Sequence, residues 1–217
     1  MESLFERIPE EKQKAVLRAA MEEFAERGYE RASTNAIVRR IGISKGSLFT
    51  YFASKEALLE AVADAAGAEV ARVAGAVWDD LPADLAARTR ALAEIELDLY
   101  AKAPLIYRFY RRVYADAHAP AVTRLLEREG ARSASMLRAL VADARLPAGF
   151  AEADRDRLVD VLSWVLEGLG QRWFVGDGAA DEDPSGGEWR EAYLDEVAAY
   201  THLILRGGTN GDGNEAE

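Results

Sequence analysis

Between Ser33 and Leu59 the chain reads STNAIVRRIGISKGSLFTYFASKEALL, and its polar side chains there are spaced for recognition. Lys45, Ser47, Thr50 and Tyr51 carry hydrogen-bond donors suited to phosphate oxygens and base edges, gathered within about two helical turns. The apolar residues Ile37, Val38, Ile41, Ile43, Leu48 and Phe52 can turn inward together against Leu17, Phe24 and Leu58. That inward set leaves Lys45-Gly46-Ser47 and the face Phe49, Thr50, Tyr51 projecting outward, as a helix entering a major groove must. Gly46 lets the backbone approach a duplex closely. Helix starts at Thr34 and Ser54 aim free amides where a phosphate could dock. A small helical subdomain serving only packing would leave Lys45, Thr50 and Tyr51 on its outside without a task.

The elements that must hold these side chains are short and well punctuated. Ser33 or Thr34 caps a helix ending near Ile41, Gly42-Ile43 makes a tight turn, and Ser44 caps the segment KGSLFTYF. Ser54 caps a further helix with Leu58, Leu59 and Val62 as its first apolar positions, running to about Asp79 before Leu81-Pro82. Upstream, a helix starting at Pro9 carries the stripe Val16, Leu17, Ala20, Phe24 and is expected to stop at Gly28. Two short helices joined by a glycine-containing turn are the layout of a helix-turn-helix. Charge agrees with it locally and not globally. The net charge is −11, yet Arg31, Arg39, Arg40, Lys45 and Lys55 fall in a window with no acid. With 38 acids in 217 residues, about four would be expected there by chance. A basic segment on an acidic protein holds DNA in one orientation, because the remaining surface repels phosphate.

This segment resembles the DNA-binding domain of the TetR family of transcriptional regulators. The likeness lies in the Thr opening the second helix, the GIS turn, the KGSLF-x-YF recognition helix and the SKEALL opening of the fourth, and it covers about residues 10–60. It implies that Thr34, Tyr51 and Lys55 contact phosphates and that Asn35, Lys45, Gly46, Ser47 and Phe49 face or approach bases. Arg39 and Arg40 depart from the more usual acidic or small residues late in the second helix. The resemblance further implies that the remaining helices dimerise and bind a small-molecule inducer. The expected partners are therefore a double-stranded DNA operator, a second copy of the chain and an effector that the sequence does not identify. The expected response is a repressor released by its ligand, with a ligand-independent or partner-controlled regulator or activator as the alternative.

Beyond Pro82 the pattern stays helical, with segments at roughly 83–102, 104–116, 119–145, 152–175 and 188–206. The fold expected is all-α, about nine helices, with a helix-turn-helix domain over 9–55 and a larger helical ligand-binding and dimerisation domain over 56–206. A polar, glycine-rich tail at 207–217 is expected to be disordered, and the loop GDGAADEDPSGG to be mobile. The last two long helices are apolar around much of their circumference, with Leu158, Val161, Leu162, Val165, Leu166, Leu169, Trp164 and Trp173 on one. The other carries Trp189, Tyr193, Val197, Tyr200 and Ile204, with Leu194, Ala198 and Leu205 on another side. Pairing with their copies in a homodimer would bury both faces, as would a central place in a monomer. Residues 100–114, YAKAPLIYRFYRRVY, put Tyr107, Tyr110 and Tyr114 near one face among arginines. With Tyr100, Arg111, Glu96, Trp164 and Gln171 they are candidates for an aromatic ligand pocket, or else plain core and solvated charge.

Other chemistries find little support. The chain has no cysteine, and its two histidines, His118 and His202, lie far apart, so no metal site, cofactor or catalytic residue is expected. No glycine-rich phosphate loop and no HExxH spacing is present, which argues against an enzyme. No apolar run is long enough for a membrane span, and MESLFERIPEEKQKA lacks the apolar block of a signal peptide, so a cytoplasmic protein is expected.

Overall fold

The structure, a computed structural model, describes residues 4–175 and 187–207. Its helices are α1 (Glu10–Arg31), α2 (Thr34–Ile41), α3 (Lys45–Tyr51), α4 (Lys55–Gly75), α5 (Leu85–Lys102), α6 (Pro104–Tyr114), α7 (Pro120–Ala142), α8 (Arg155–Gly170) and α9 (Gly187–Gly207). Single 3-10 turns lie at Trp78–Asp80 and Glu152–Asp154, and α8 opens into a π-helical turn at Gln171–Val175. Among the described residues there is no strand, only a lone bridge between Asp84 and Arg145. No helix there is long and apolar enough to cross a membrane. The loop and most of the tail expected to be mobile lie outside the described residues.

Two compact units divide the chain: Met1–Val73 with Lys102–Glu127, and Ala74–Ala101 with Arg128–Glu217. This compactness cuts the chain differently from the 9–55 and 56–206 division, because α6 packs along α1, with Phe24 and Phe109 ring centroids 6.3 Å apart. In the first unit the buried set includes Val16, Ala20, Phe24, Ile37, Val38, Leu48, Phe52, Leu58, Leu59, Val62, Phe109 and Val113. Leu17, Ile41 and Ile43, also expected inside, are only half-buried. The stop expected at Gly28 is a kink, with a short helical stretch continuing beyond it. That residue has φ 73° and ψ 178°, a conformation open essentially to glycine alone, and helical hydrogen bonding resumes beyond it to Arg31.

The second unit has two apolar clusters. One joins Leu85 and Ala86 of α5 to Leu137, Leu140 and Val141 of α7, Leu158 and Leu162 of α8, and Leu205 of α9. The other joins Ala93 and Leu97 to Leu169, Tyr193, Leu194 and Val197, with Trp173, Trp189 and Tyr200 packed against it. Two hydroxyls meet inside this unit: Thr89 and Thr201 lie 3.2 Å apart, each also within reach of a carbonyl of its own helix, Ala86 and Val197, so one donates to its carbonyl and the other to its fellow hydroxyl or its own carbonyl. Polar ties reinforce the packing. Arg90 of α5 bonds Glu191 and Asp195 of α9, each at 2.9 Å, and Arg88 donates to the Leu140 carbonyl at 3.0 Å.

Candidate nucleic-acid interface

Local capping fixes the two short helices. The Ser33 hydroxyl accepts from the Ala36 amide at 3.4 Å, and Ser44 from the Ser47 amide at 3.0 Å. Ser54 accepts from the Ala57 amide at 3.1 Å at the head of α4. Between α2 and α3 Gly42 is left-handed (φ 68°, ψ 31°), and the Ile43 amide returns to the Val38 carbonyl at 3.2 Å. The turn is therefore set by glycine's freedom and by one backbone hydrogen bond.

Longer contacts then lock α2 and α3 in place. The buried Glu23 of α1 accepts the Ser33 amide at 3.0 Å, satisfying a donor that α2 cannot pair itself. Arg40, one of the departures from the family pattern, reaches α1: it donates to Glu22 at 3.0 Å and to Glu26 at 3.4 Å. Partial burial works against its charge, and these two carboxylates outweigh that cost. Residues before α1 brace the recognition helix from the other side. Phe5 is buried, with ring centroids 4.7 Å from Phe52 and 5.9 Å from Tyr51. Gln13 fastens that segment, its amide donating to the Glu6 and Ile8 carbonyls at 3.1 and 2.9 Å. Sequence reasoning passed over Phe5 and Glu23; the apolar pair Leu4-Phe5 in a charged stretch just before Pro9 was the available signal for the first.

What α3 offers outward is a compact mixed face. Lys45, Gly46, Phe49 and Thr50 are exposed, and Ser47 and Tyr51 half-buried. The Lys45 ammonium lies 5.8 Å from the Phe49 ring centroid, and Lys12 of α1 lies 6.0 Å from that of Tyr51. The Thr50 hydroxyl donates to the Gly46 carbonyl at 2.9 Å, and the hydroxyls of Ser44 and Ser47 are 2.8 Å apart. A Cβ at Gly46 would meet only the Ser44 hydroxyl, at 3.7 Å, so nothing in the protein itself requires glycine there. On α2, Asn35 is exposed and Thr34 half-buried.

Lys55 has a different place from the one expected. Its ammonium donates to the carbonyls of Tyr29, Glu30 and Ala32 at 2.8, 3.1 and 3.3 Å, and sits 4.7 Å from the Tyr29 ring centroid. Three protons meet three carbonyls at the end of α1, so the group closes a helix terminus instead of standing free for phosphate. Burial holds its pKa below the usual lysine value, opposed by Glu30 and Asp116. The same corner holds Asp116, which accepts the Glu30 amide at 3.2 Å, and Arg112, which donates to the Arg27 carbonyl at 3.2 Å. Arg124 of α7 bonds Glu56 of α4 at 2.8 Å.

The residues expected to line a ligand pocket are distributed over both units. Tyr107, Tyr110, Arg111 and Tyr114 belong to α6 in the first; Tyr110 and Tyr114 meet edge-on at 5.6 Å, and the Tyr110 hydroxyl reaches the Ala63 carbonyl at 3.5 Å. Tyr107 is buried, which pushes its hydroxyl pKa up against the lowering influence of Arg111. Glu96, Tyr100, Trp164 and Gln171 belong to the second. There Tyr100 donates to Glu96 at 2.7 Å, whereas Gln171 is exposed and Trp164 stands out from α8 with 70% of its surface open. Among the described residues no group of three or more acids and histidines could hold a metal ion.

A capped short helix projecting a polar face, held by a glycine turn against a second, is the arrangement of a helix-turn-helix DNA-binding domain. Comparison with known proteins agrees. Residues 16–62 match the family described as bacterial regulatory proteins, tetR family. Over 51 residues the chain is 43% identical to the A-factor receptor protein of Streptomyces griseus, covering 24% of this chain and 18% of that protein. Over 105 residues it is 35% identical to an HTH-type transcriptional repressor of Mycobacterium tuberculosis, covering 46% of this chain and 54% of the relative. The chain thus matches about half, or less, of the length of these relatives. A TetR-family regulator structure from Rhodococcus sp. superposes with a TM-score of 0.67 over 91% of this chain and 100% of that one, at 19% identity, a likeness of fold. Through residues 16–62, then, the chain carries a domain that matches the tetR family of bacterial regulatory proteins.

Proposed function

We propose that the chain is a transcriptional regulator, acting in the cytoplasm, that binds a palindromic operator as a homodimer and releases it when a small-molecule effector binds. The observation that carries this is the outward face of α3, whose exposed Lys45, Gly46, Phe49 and Thr50 stand on a helix fixed by its own Ser44 cap and followed by the Ser54 cap of α4. In this reading Asn35, Lys45, Ser47, Phe49 and Thr50 meet base edges, and Thr34 and Tyr51 hold the flanking backbone. The second copy docks on the outer faces of α8 and α9. Trp164 and Leu203 expose 70% and 67% of their surface there, and a shallow depression of about 460 Å³ is lined by Ala199, His202, Leu203 and Arg206. A two-fold arrangement sets two recognition helices one groove turn apart, ~34 Å, so a small change in their spacing costs contacts at both half-sites. The repressors among its relatives favour release over activation.

The test is fluorescence anisotropy of the full chain with DNA from its own upstream region, against a scrambled duplex. Specific binding that weakens steeply with salt is expected. Lys45→Ala should lose about 1–3 kcal/mol of that binding while the dimer persists by light scattering. Equal affinity for the scrambled duplex overturns the reading.

A further inference from the structure

Among the described residues no cation is assigned to Glu96, a carboxylate in unit two next to an apolar cluster. Glu96 of α5 lies between Ala93 and Leu97, both in the apolar cluster, and close enough to Tyr193 of α9 for its charge to act on that buried hydroxyl. Its hydrogen-bond partner is Tyr100, one turn along the same helix, at 2.7 Å. Three cations, on α5, α9 and the π-helical turn, are committed elsewhere. Arg90 is held by Glu94, Glu191 and Asp195, Arg190 by Asp98, and Arg172 of the π-helical turn by Glu196. The Trp173 indole also donates to Glu196, at 2.5 Å. Glu96 is half-buried, and desolvating a carboxylate with one hydrogen bond and no counter-charge is costly, so desolvation pushes its pKa up.

Aromatic rings pack against the same apolar cluster. Trp173, Trp189 and Tyr193 form a closed trio, with centroid separations of 5.6, 6.0 and 6.1 Å, two of the pairs edge-on and one stacked. Trp173 is carried there by the π-helical turn after α8, an irregularity often found at functional sites. Ring faces attract cations through their quadrupoles, and a carboxylate supplies the full counter-charge. Arginine or lysine would complete such a site from within the protein; here none is assigned to Glu96 among the described residues.

We propose that Glu96 and Tyr100, with the rings of Trp173, Trp189 and Tyr193, seat the cationic head of an organic amine whose body is apolar. This deepens the ligand-responsive reading and rests on it for its link to DNA. The bound cation replaces the missing counter-charge, so the carboxyl gives up its proton as the amine enters. Affinity therefore rises with pH over the range in which the empty site is still protonated. Tyr193 stays neutral in that range, since burial and the nearby carboxylate push its hydroxyl up. The charged groups on the packed elements are Glu94 and Asp98 of α5, Glu167 of α8, Arg172, and Arg190, Glu191, Asp195 and Glu196 of α9.

The experiment is calorimetric titration of the full chain with benzyltrimethylammonium, benzyl alcohol and benzoate, on the wild type and Glu96→Gln, with operator affinity measured alongside. Saturable binding of the ammonium is expected, about tenfold tighter than the alcohol. Buffers of different ionisation heat should report proton release in the wild type and none in Glu96→Gln, whose ammonium affinity falls about tenfold while its melting stays cooperative. Ammonium binding that is equal in Glu96→Gln, or no tighter than that of the alcohol, overturns the cation seat. So does an absence of ammonium binding in a wild type that binds the alcohol or benzoate. Ammonium binding that fits the seat but leaves operator affinity unchanged upholds the seat and removes the ligand-responsive reading.

Discussion

Replacing Lys55 by methionine separates two roles that a DNA-binding lysine at the head of α4 could have. Methionine keeps an unbranched stem beside the Tyr29 ring and removes the ammonium that now bonds the Tyr29, Glu30 and Ala32 carbonyls. A hydrogen bond to a charged donor contributes about 1.5–3 kcal/mol, but these carbonyls are only partly buried and water can take over some of them. The longest of the three, 3.3 Å to Ala32, adds least. A net loss of about 2 kcal/mol follows, which for a chain of this size lowers Tm by roughly 4–8 °C. The assay is a thermal melt of both proteins, paired with anisotropy over a salt series on the operator. If Lys55 closes the end of α1, Tm falls and the slope of log K against log salt is unchanged. If instead it neutralises a phosphate, the slope falls by about 0.9 per protomer and Tm stays put. That second pattern would refute the assignment.

Three further perturbations bear on other joints of the structure. Phe5→Ala removes the ring behind Tyr51 and Phe52; at this margin of the core it should cost about 2–3 kcal/mol and weaken operator binding several-fold in anisotropy, while light scattering still reports the dimer. Gly28→Ala places a Cβ against the Asp116 carboxylate and 3.1 Å from the Arg112 guanidinium carbon, in a backbone conformation costing about 1–3 kcal/mol by itself; denaturant melts should show a loss above that range's lower end. Glu96→Gln should change the pH dependence of stability. The folded state holds that proton more tightly than the unfolded chain, so wild-type stability falls as pH climbs from about 4.3 toward the raised folded value. The variant should therefore melt higher than wild type at pH 8 and lose that advantage near pH 4.

How much of this could be read from the sequence depended on how local the cause was. Ser33, Ser44 and Ser54 act on amides three residues away, and Gly42 acts on its own backbone, so the helix-turn-helix was legible at nearly residue precision. Gly28 gave a helix stop in the sequence because its conformational freedom is visible there. The Asp116 carboxylate that bonds the amide of Glu30, and the α6 packing that carries α1 onward, are not. Lys55 matched its motif position, yet its acceptors lie more than twenty residues upstream. The aromatic run at 100–114 suggested a single pocket face, whereas Tyr100 and the α6 tyrosines fall in different compact units. Periodicity reports which side of a helix is apolar, and not which neighbour it meets; Trp164 looked like buried lining by that measure and is mostly exposed.

The same reasoning revises the electrostatics of DNA binding. Five cations lie between Arg31 and Lys55, and if each neutralised one phosphate a dimer would make ten contacts, with a salt slope near −9. Two of the five are engaged inside the protein, Arg40 by Glu22 and Glu26 and Lys55 by backbone carbonyls. Arg31, Arg39 and Lys45 remain exposed, and the expected slope drops to about −5 if all three meet phosphates, less if Lys45 reads a base. Lys12, poised over the Tyr51 ring beside the recognition helix, can restore one contact per protomer. A slope near −9 on the specific operator would mean that Arg40 or Lys55 leaves its partners on binding, and that α1 loses its ties to α2 or α4 in the complex. A slope of about −4 to −7 would mean that the recognition module docks as it stands, with its polar joints intact.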